Sequence, residues 1–215
     1  MKNKYDRLYF EEYALSSLIL CYDEKLKAFL EEGGHAHRPD FQNEELNLGI
    51  EVRRAITKQQ GSNESIINDY FGKNYDPSFV LKEIEKLKKK PGTFDIVNGT
   101  LSWFSGYYDT KTLIDELQSS IVEKLQKLNS GYRVFLHNWL YLFAGSSIIH
   151  ETDITNLCNK KIEFYRIQFD KIFINCTNKI FILENYKLIQ TIFLSDEELT
   201  QIKRRAFERV ENNAS

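Results

Sequence analysis

Cysteine is scarce in this chain, and no two cysteines lie close together in the sequence. Cys21, Cys158 and Cys176 are odd in number and form no C-x-x-C pair, which argues against a disulfide framework and against a zinc site built on paired thiolates. The simplest interpretation is that they are buried thiols in a reducing compartment. We therefore expect a cytoplasmic protein.

Long apolar runs are also lacking. No stretch approaches the roughly 18 apolar residues that a membrane-spanning helix requires, and the N-terminal sequence MKNKYDRLYFEEY contains no apolar signal core. The sequence therefore predicts a soluble protein with no membrane partner.

Neither sign of charge is in excess. Lysine and arginine together number 29, and aspartate and glutamate number 31, so no global field favours a nucleic-acid partner and any such site must be a local patch. Proline is rare, with three residues against 12 tyrosines and 15 phenylalanines, which indicates an aromatic, strand-rich core. A chain of 215 residues suits one domain with a sizeable core, and we assign residues 1–215 to it.

Hydrophobic periodicity predicts helices and strands that follow one another along the chain. The helices are predicted at 5–32, 110–129, 151–164 and, after a capping box at Ser195, 195–215. The strands are predicted at 48–54, at 134–143 and in two hairpins, around Asn98-Gly99 and around Cys176-Thr177-Asn178. This order predicts an α/β protein with three layers, α/β/α, and a central mixed sheet. The segment 72–109 is predicted to be an insertion.

The helix at 110–129 has the clearest pattern in the sequence. Its apolar stripe consists of Leu113, Leu117, Ile121, Leu125 and Leu128, which predicts packing on a sheet. Lys124 and Lys127 near its end would complement the negative end of the helix dipole.

The most informative stretch is Arg38-Pro39-Asp40-Phe41 followed by the strand Leu48–Arg54. In that strand Ile50 and Val52 alternate with Glu51 and Arg53, so one face is apolar and the other carries a carboxylate and a guanidinium. Two acidic residues on neighbouring strands would form a hard oxygen site that suits magnesium better than zinc. The alternative is a surface hairpin with a Glu–Arg pair.

These residues resemble the core motif of the PD-(D/E)xK nucleases, the restriction-endonuclease-like proteins. The matching residues are Pro39-Asp40 and Glu51-Val52-Arg53, with arginine where the family pattern has lysine. The resemblance implies a restriction-endonuclease-like fold over roughly residues 8–60 and 110–183. It also implies that Asp40 and Glu51 bind Mg²⁺, with a third carboxylate from the first helix, Glu11 or, by preference, Glu12.

The missing lysine leaves two candidate catalytic cations. Arg53 can hold a phosphate but cannot act as a base, because a guanidinium stays protonated in proteins. Lys58, in the segment after the acidic strand, could stand in for the motif lysine or could simply be solvated. His35 and His37, in the loop before Pro39, are two residues apart and lack further ligands nearby, so we interpret them as loop histidines.

Two functions from different classes follow from the resemblance. The first is Mg²⁺-dependent phosphodiester hydrolysis of DNA by Asp40 and Glu51, with Arg53 or Lys58. The second is a catalytically inactive nuclease-fold protein that binds nucleic acid or a protein partner. A purely structural interaction protein is a third interpretation. The feature that discriminates between them is whether a lysine amine reaches Glu51.

Overall fold

The structure is a computed structural model, and it describes most of the chain. The described residues are 4–31, 38–56, 93–97, 100–105, 109–144, 148–155 and 165–214, together with Ser78, Lys82 and Leu157. The chain divides into two compact units, residues 1–55 with 117–215, and residues 56–116. The second unit includes the segment 72–109 that the sequence analysis set apart as an insertion.

The first unit is built on a six-stranded mixed sheet, which confirms the predicted α/β class. Its strands are β1 (Phe41–Asn43), β2 (Leu48–Arg54), β5 (His137–Phe143), β6 (Lys171–Asn175), β7 (Lys179–Glu184) and β8 (Lys187–Phe193). The strand order is β1-β2-β5-β6-β7-β8, in which β2, β5 and β6 run parallel and the other neighbours are antiparallel. The predicted strands at 48–54 and 134–143 and the hairpin around Cys176-Thr177-Asn178 are therefore present.

The helices agree with the sequence pattern in the middle and at the end of the chain. They are α1 (Lys4–Cys21), a 3-10 turn (Glu24–Lys27), α2 (Ala28–Glu31), α3 (Thr110–Ser130), α4 (Glu151–Thr155) and α5 (Asp196–Ala214). The single helix predicted at 5–32 is wrong in one respect, because it is interrupted after Cys21. Asp23 has extended backbone and its side chain accepts the Lys25 N–H, which starts a new turn.

One face of the sheet packs against α1 and α5. Ile50 and Val52 of β2 lie in one buried cluster with residues of both helices, including Leu15, Leu18 and Ile202. The aromatic side chains of the central strands fill the same cluster, namely Trp139, Tyr141, Phe143 and Phe173. This is the aromatic core that the composition indicated.

The opposite face of β2 carries Glu51 and faces α3. Lys124 of α3 contacts Glu51, and Glu123 of the same helix contacts Arg53, so α3 lies along this side of the sheet. Leu117, Ile121 and Leu125 are completely buried, as expected of a stripe that packs on a sheet.

Among the described residues, no helix is both long enough and apolar enough to cross a bilayer.

The last strand, β8, is absent from the sequence prediction. It is joined to β7 by Asn185 and Tyr186, which both have positive φ, 47° and 61°. A two-residue turn of this kind usually has the sequence Asn-Gly or Asp-Gly. Here tyrosine occupies the second position, so the sequence does not show the usual signal of a hairpin. β8 is an edge strand on which Ile189 and Phe193 are exposed.

The second unit contains a two-stranded antiparallel sheet. Its strands are β3 (Thr93–Val97) and β4 (Thr100–Ser105), with Val97 paired with Thr100. This is the hairpin predicted around Asn98-Gly99, two residues that themselves lie outside the described part of the chain. Most of 156–164, the second half of the helix predicted at 151–164, also lies outside it.

Candidate functional site

Asp40 is placed by the close approach of its loop to β2. A Cβ added to Gly49 would lie 2.7 Å from both Pro39 Cγ and Phe135 Cδ2, so only glycine leaves room for the two rings. The β1–β2 pairing ends at Phe41 and Ile50. The next inward N–H of β2, that of Val52, donates instead to Asp40 Oδ2 at 2.8 Å. Asp40 is therefore buried at the edge of the sheet.

Glu51 forms a buried ion pair with a lysine from α3. The Lys124 ammonium donates to Glu51 Oε1, and the Tyr132 hydroxyl donates to the same oxygen at 2.8 Å. Both Glu51 and Lys124 are buried. A lysine amine thus reaches Glu51, and it belongs to Lys124 of α3.

Arg7 of α1 connects the Asp40 carboxylate to a second carboxylate, that of Glu11 on its own helix. Its Nε donates to Glu11 Oε1 at 2.6 Å and its Nη2 donates to Asp40 Oδ1 at 2.7 Å. Glu12 points elsewhere, because its fully buried carboxylate pairs with Arg209 of α5. The structure therefore brings Glu11, and not the preferred Glu12, beside Asp40.

The crowding of carboxylates changes the acidity of Asp40. Burial is the main cause that raises its pKa to about 6, and the negative charges of Glu51 and Glu11 act in the same direction. The Val52 N–H and the Arg7 guanidinium oppose this shift. Burial, followed by the charge of Glu51, also raises the pKa of the Tyr132 hydroxyl, so this group stays protonated and continues to donate.

The perturbed acidity of Asp40 predicts a specific dependence of stability on pH. The pKa of Asp40 rises from 3.8 to about 6 on folding, so the folded protein holds this proton more tightly than the unfolded chain does. Its contribution is favourable below about pH 4 and is lost as the pH rises through about 6. Relative to Asp40→Asn, the natural protein should lose about 1–3 kcal/mol of unfolding free energy across this window. Urea denaturation of both proteins between pH 4 and 7 measures the difference, and a constant difference would contradict the prediction.

Arg53 lies on the same face of β2 as Glu51, as its position two residues further along the strand requires. Its Nη2 donates to Glu123 Oε2 at 3.3 Å, and its Nε is buried without a partner. Lys58, His35 and His37 lie outside the described residues, so nothing is shown of their position.

The sequence analysis assigned no role at this site to Arg7, Lys124 or Tyr132, and it named Glu11 only as the alternative to Glu12. Lys124 did have a signal. It lies seven residues after Leu117 and four before Leu128, on the buried stripe of α3, where a charged side chain requires a buried partner. The interpretation of Lys124 as a complement to the helix dipole did not take this position into account.

The donor set at this edge suits a hard cation. Among the described residues, no three carboxylate, imidazole or thiol groups converge closely enough to be recognised as a metal site. Asp40 and Glu51 nevertheless lie near enough for the charge of Glu51 to raise the pKa of Asp40. Mg²⁺ is commonly held by only one or two carboxylates, together with water and substrate phosphates. Asp40 and Glu51 are of that residue type, and each is paired with a cation of the protein, Arg7 and Lys124.

Comparison with known proteins identifies no relative. No protein-family model matches the chain, and neither a curated protein nor a solved structure does so. The function is therefore argued from the site alone.

Proposed function

We propose that this protein is a metal-dependent nuclease that hydrolyses phosphodiester bonds of DNA at a centre formed by Asp40, Glu51 and Lys124. The observation that carries the proposal is the contact of the Lys124 ammonium with Glu51 beside the buried Asp40. Two carboxylates and one lysine are the residue types of the nuclease motif that the sequence resembles. Here the lysine comes from α3, while the strand position of the motif lysine holds Arg53.

The proposal assigns a separate task to each side chain. Asp40 and Glu51 would hold Mg²⁺, which supplies positive charge against the phosphate and lowers the pKa of a bound water. The Val52 N–H and the Tyr132 hydroxyl fix the two carboxylates in place. Lys124, held at Glu51, provides a cation for the negative charge that develops on the phosphate.

The finer fold assignment is part of the same proposal. We infer a restriction-endonuclease-like arrangement, in which α1 precedes the acidic strands β1 and β2. The support is the connection from β2 through α3 to β5, which is parallel to β2 in the sheet. Glu11 of α1 takes the role of the third carboxylate, because it shares Arg7 with Asp40.

One observation favours the second candidate, an inactive nuclease-fold protein that binds nucleic acid or a protein partner. Arg7 pairs with Glu11 and Asp40, and Lys124 pairs with Glu51. Each of these carboxylates is therefore already paired with a cation of the protein. A divalent ion would have to compete with Arg7 for the Asp40 oxygen.

Cleavage assays distinguish the two candidates. We expect Mg²⁺ or Mn²⁺ to support cleavage of plasmid or single-stranded DNA, and Asp40→Asn to slow it at least about 100-fold, the scale for losing one critical charged group in a site. Asp170→Asn serves as the matched control, because Asp170 accepts a backbone N–H from Asn138 on another strand. Absence of metal-dependent cleavage, with retained DNA binding at low salt, would instead support the inactive protein.

A further inference from the structure

Beside the proposed centre, a carboxylate of α3 lies between two cations. Glu123 Oε2 accepts from Arg53 Nη2 at 3.3 Å, and its Oε1 accepts from Lys127 Nζ at 2.5 Å. The three side chains are each about 40–45% exposed, so a ligand has access to them. Both cations direct their donors at one anionic position.

Two polar side-chain atoms, one on β2 and one on α3, lack a hydrogen-bond partner. Arg53 Nε and Ser120 Oγ are buried and make no hydrogen bond, a situation that costs free energy in a folded protein. Ser120 lies one turn before Glu123 and Lys124 on α3, on the side of the helix that faces β2. Because Glu51 pairs with Lys124 and Arg53 pairs with Glu123, the unused donors lie next to the proposed centre.

The spacing relates this position to Glu51. Arg53 follows Glu51 by two residues on one face of β2, so their backbone positions are about 6.6 Å apart. Neighbouring phosphates along one nucleic-acid strand have a comparable separation. A strand with one phosphate beside the Mg²⁺ that Asp40 and Glu51 would hold would therefore bring an adjacent phosphate to Arg53.

We propose that Arg53, Lys127 and Ser120 form a subsite for a second phosphate, and that Glu123 occupies it when no substrate is bound. This inference rests on the proposed function and specifies its substrate class, a polynucleotide strand rather than a mononucleotide. Arg53 and Lys127 supply two positive charges against the single charge of Glu123. The partly exposed Glu123 side chain turns away when a phosphate binds.

The test measures binding without cleavage. A fluorescent single-stranded DNA 12-mer is titrated, with EDTA present, against the full chain carrying Asp40→Asn and followed by anisotropy at several salt concentrations. Adding Glu123→Gln should tighten binding about threefold or more, because both cations become available to phosphate. Arg53→Ala and Lys127→Ala should each weaken binding and lower the salt slope by about 1.

A matched control separates the subsite from net charge. Glu208→Gln changes the charge by the same amount and releases Arg204, its partner at i−4 on α5, but it should leave affinity within about twofold, since it creates no position with two cations. Equal effects of Glu123→Gln and Glu208→Gln would overturn the proposal. So would an unchanged affinity in both Arg53→Ala and Lys127→Ala.

The outcome is independent of hydrolysis. Tighter binding by Glu123→Gln together with no metal-dependent cleavage by the natural protein would retain the subsite and reject the nuclease. Cleavage that depends on Asp40 with no specific effect of Glu123→Gln would retain the nuclease and reject the subsite.

Discussion

Replacing Lys124 by methionine is expected to lower the free energy of unfolding by about 3–5 kcal/mol. Methionine fills much of the same volume but leaves the Glu51 carboxylate, which is 3% exposed, without its cation. An unpaired buried charge costs far more than the ion pair contributes, because water can no longer solvate it. Urea denaturation at pH 7, followed by circular dichroism, measures the loss.

Two further variants make this result specific. The double variant Glu51→Gln/Lys124→Met removes both charges and should recover most of the stability, since the Tyr132 hydroxyl can still donate to the glutamine oxygen. Lys127→Met is the control on the same helix. Its pair with Glu123 is exposed to solvent, so the change should cost at most about 1 kcal/mol. Equal costs for Lys124→Met and Lys127→Met would contradict the buried pair.

Truncation of Leu117 to alanine should cost about 2–5 kcal/mol, the usual range for a core leucine. Leu117 is completely buried, and the surrounding side chains of α3 and the sheet can only partly fill the cavity left behind. Chemical denaturation again provides the measurement. Gln126→Ala on the exposed side of α3 should change stability by no more than about 0.5 kcal/mol. A Leu117→Ala protein as stable as Gln126→Ala would show that this helix does not contribute to the core.

The parts of the fold that could be predicted are those in which local pattern and burial coincide. β2 alternates apolar and charged residues because α1 covers one of its faces and α3 approaches the other. β5 is apolar and aromatic from Trp139 to Phe143 because this part of the strand is buried inside the sheet. The capping box at Ser195 was visible because its contacts are local: the hydroxyl and the backbone N–H of Ser195 both donate to Glu198.

The rest of the site depends on contacts between distant parts of the chain. Glu11 and Glu12 are adjacent in sequence, yet α1 turns about 100° per residue, so one faces Asp40 and the other faces Arg209. No spacing rule pairs Lys124 with Glu51, since they are 73 residues apart. Only the packing of α3 on the sheet brings them together.

The pair of Glu12 and Arg209 also affects the order in which the helices can reach their final packing during synthesis. Arg209 follows Glu12 by 197 residues, so the last helix must leave the ribosome before its guanidinium can reach the first. Contacts between such distant segments form late and slowly, because the loop that they close is long. We therefore expect α1, which carries Arg7 and Glu11 to the sheet edge, to reach its final packing only when α5 docks.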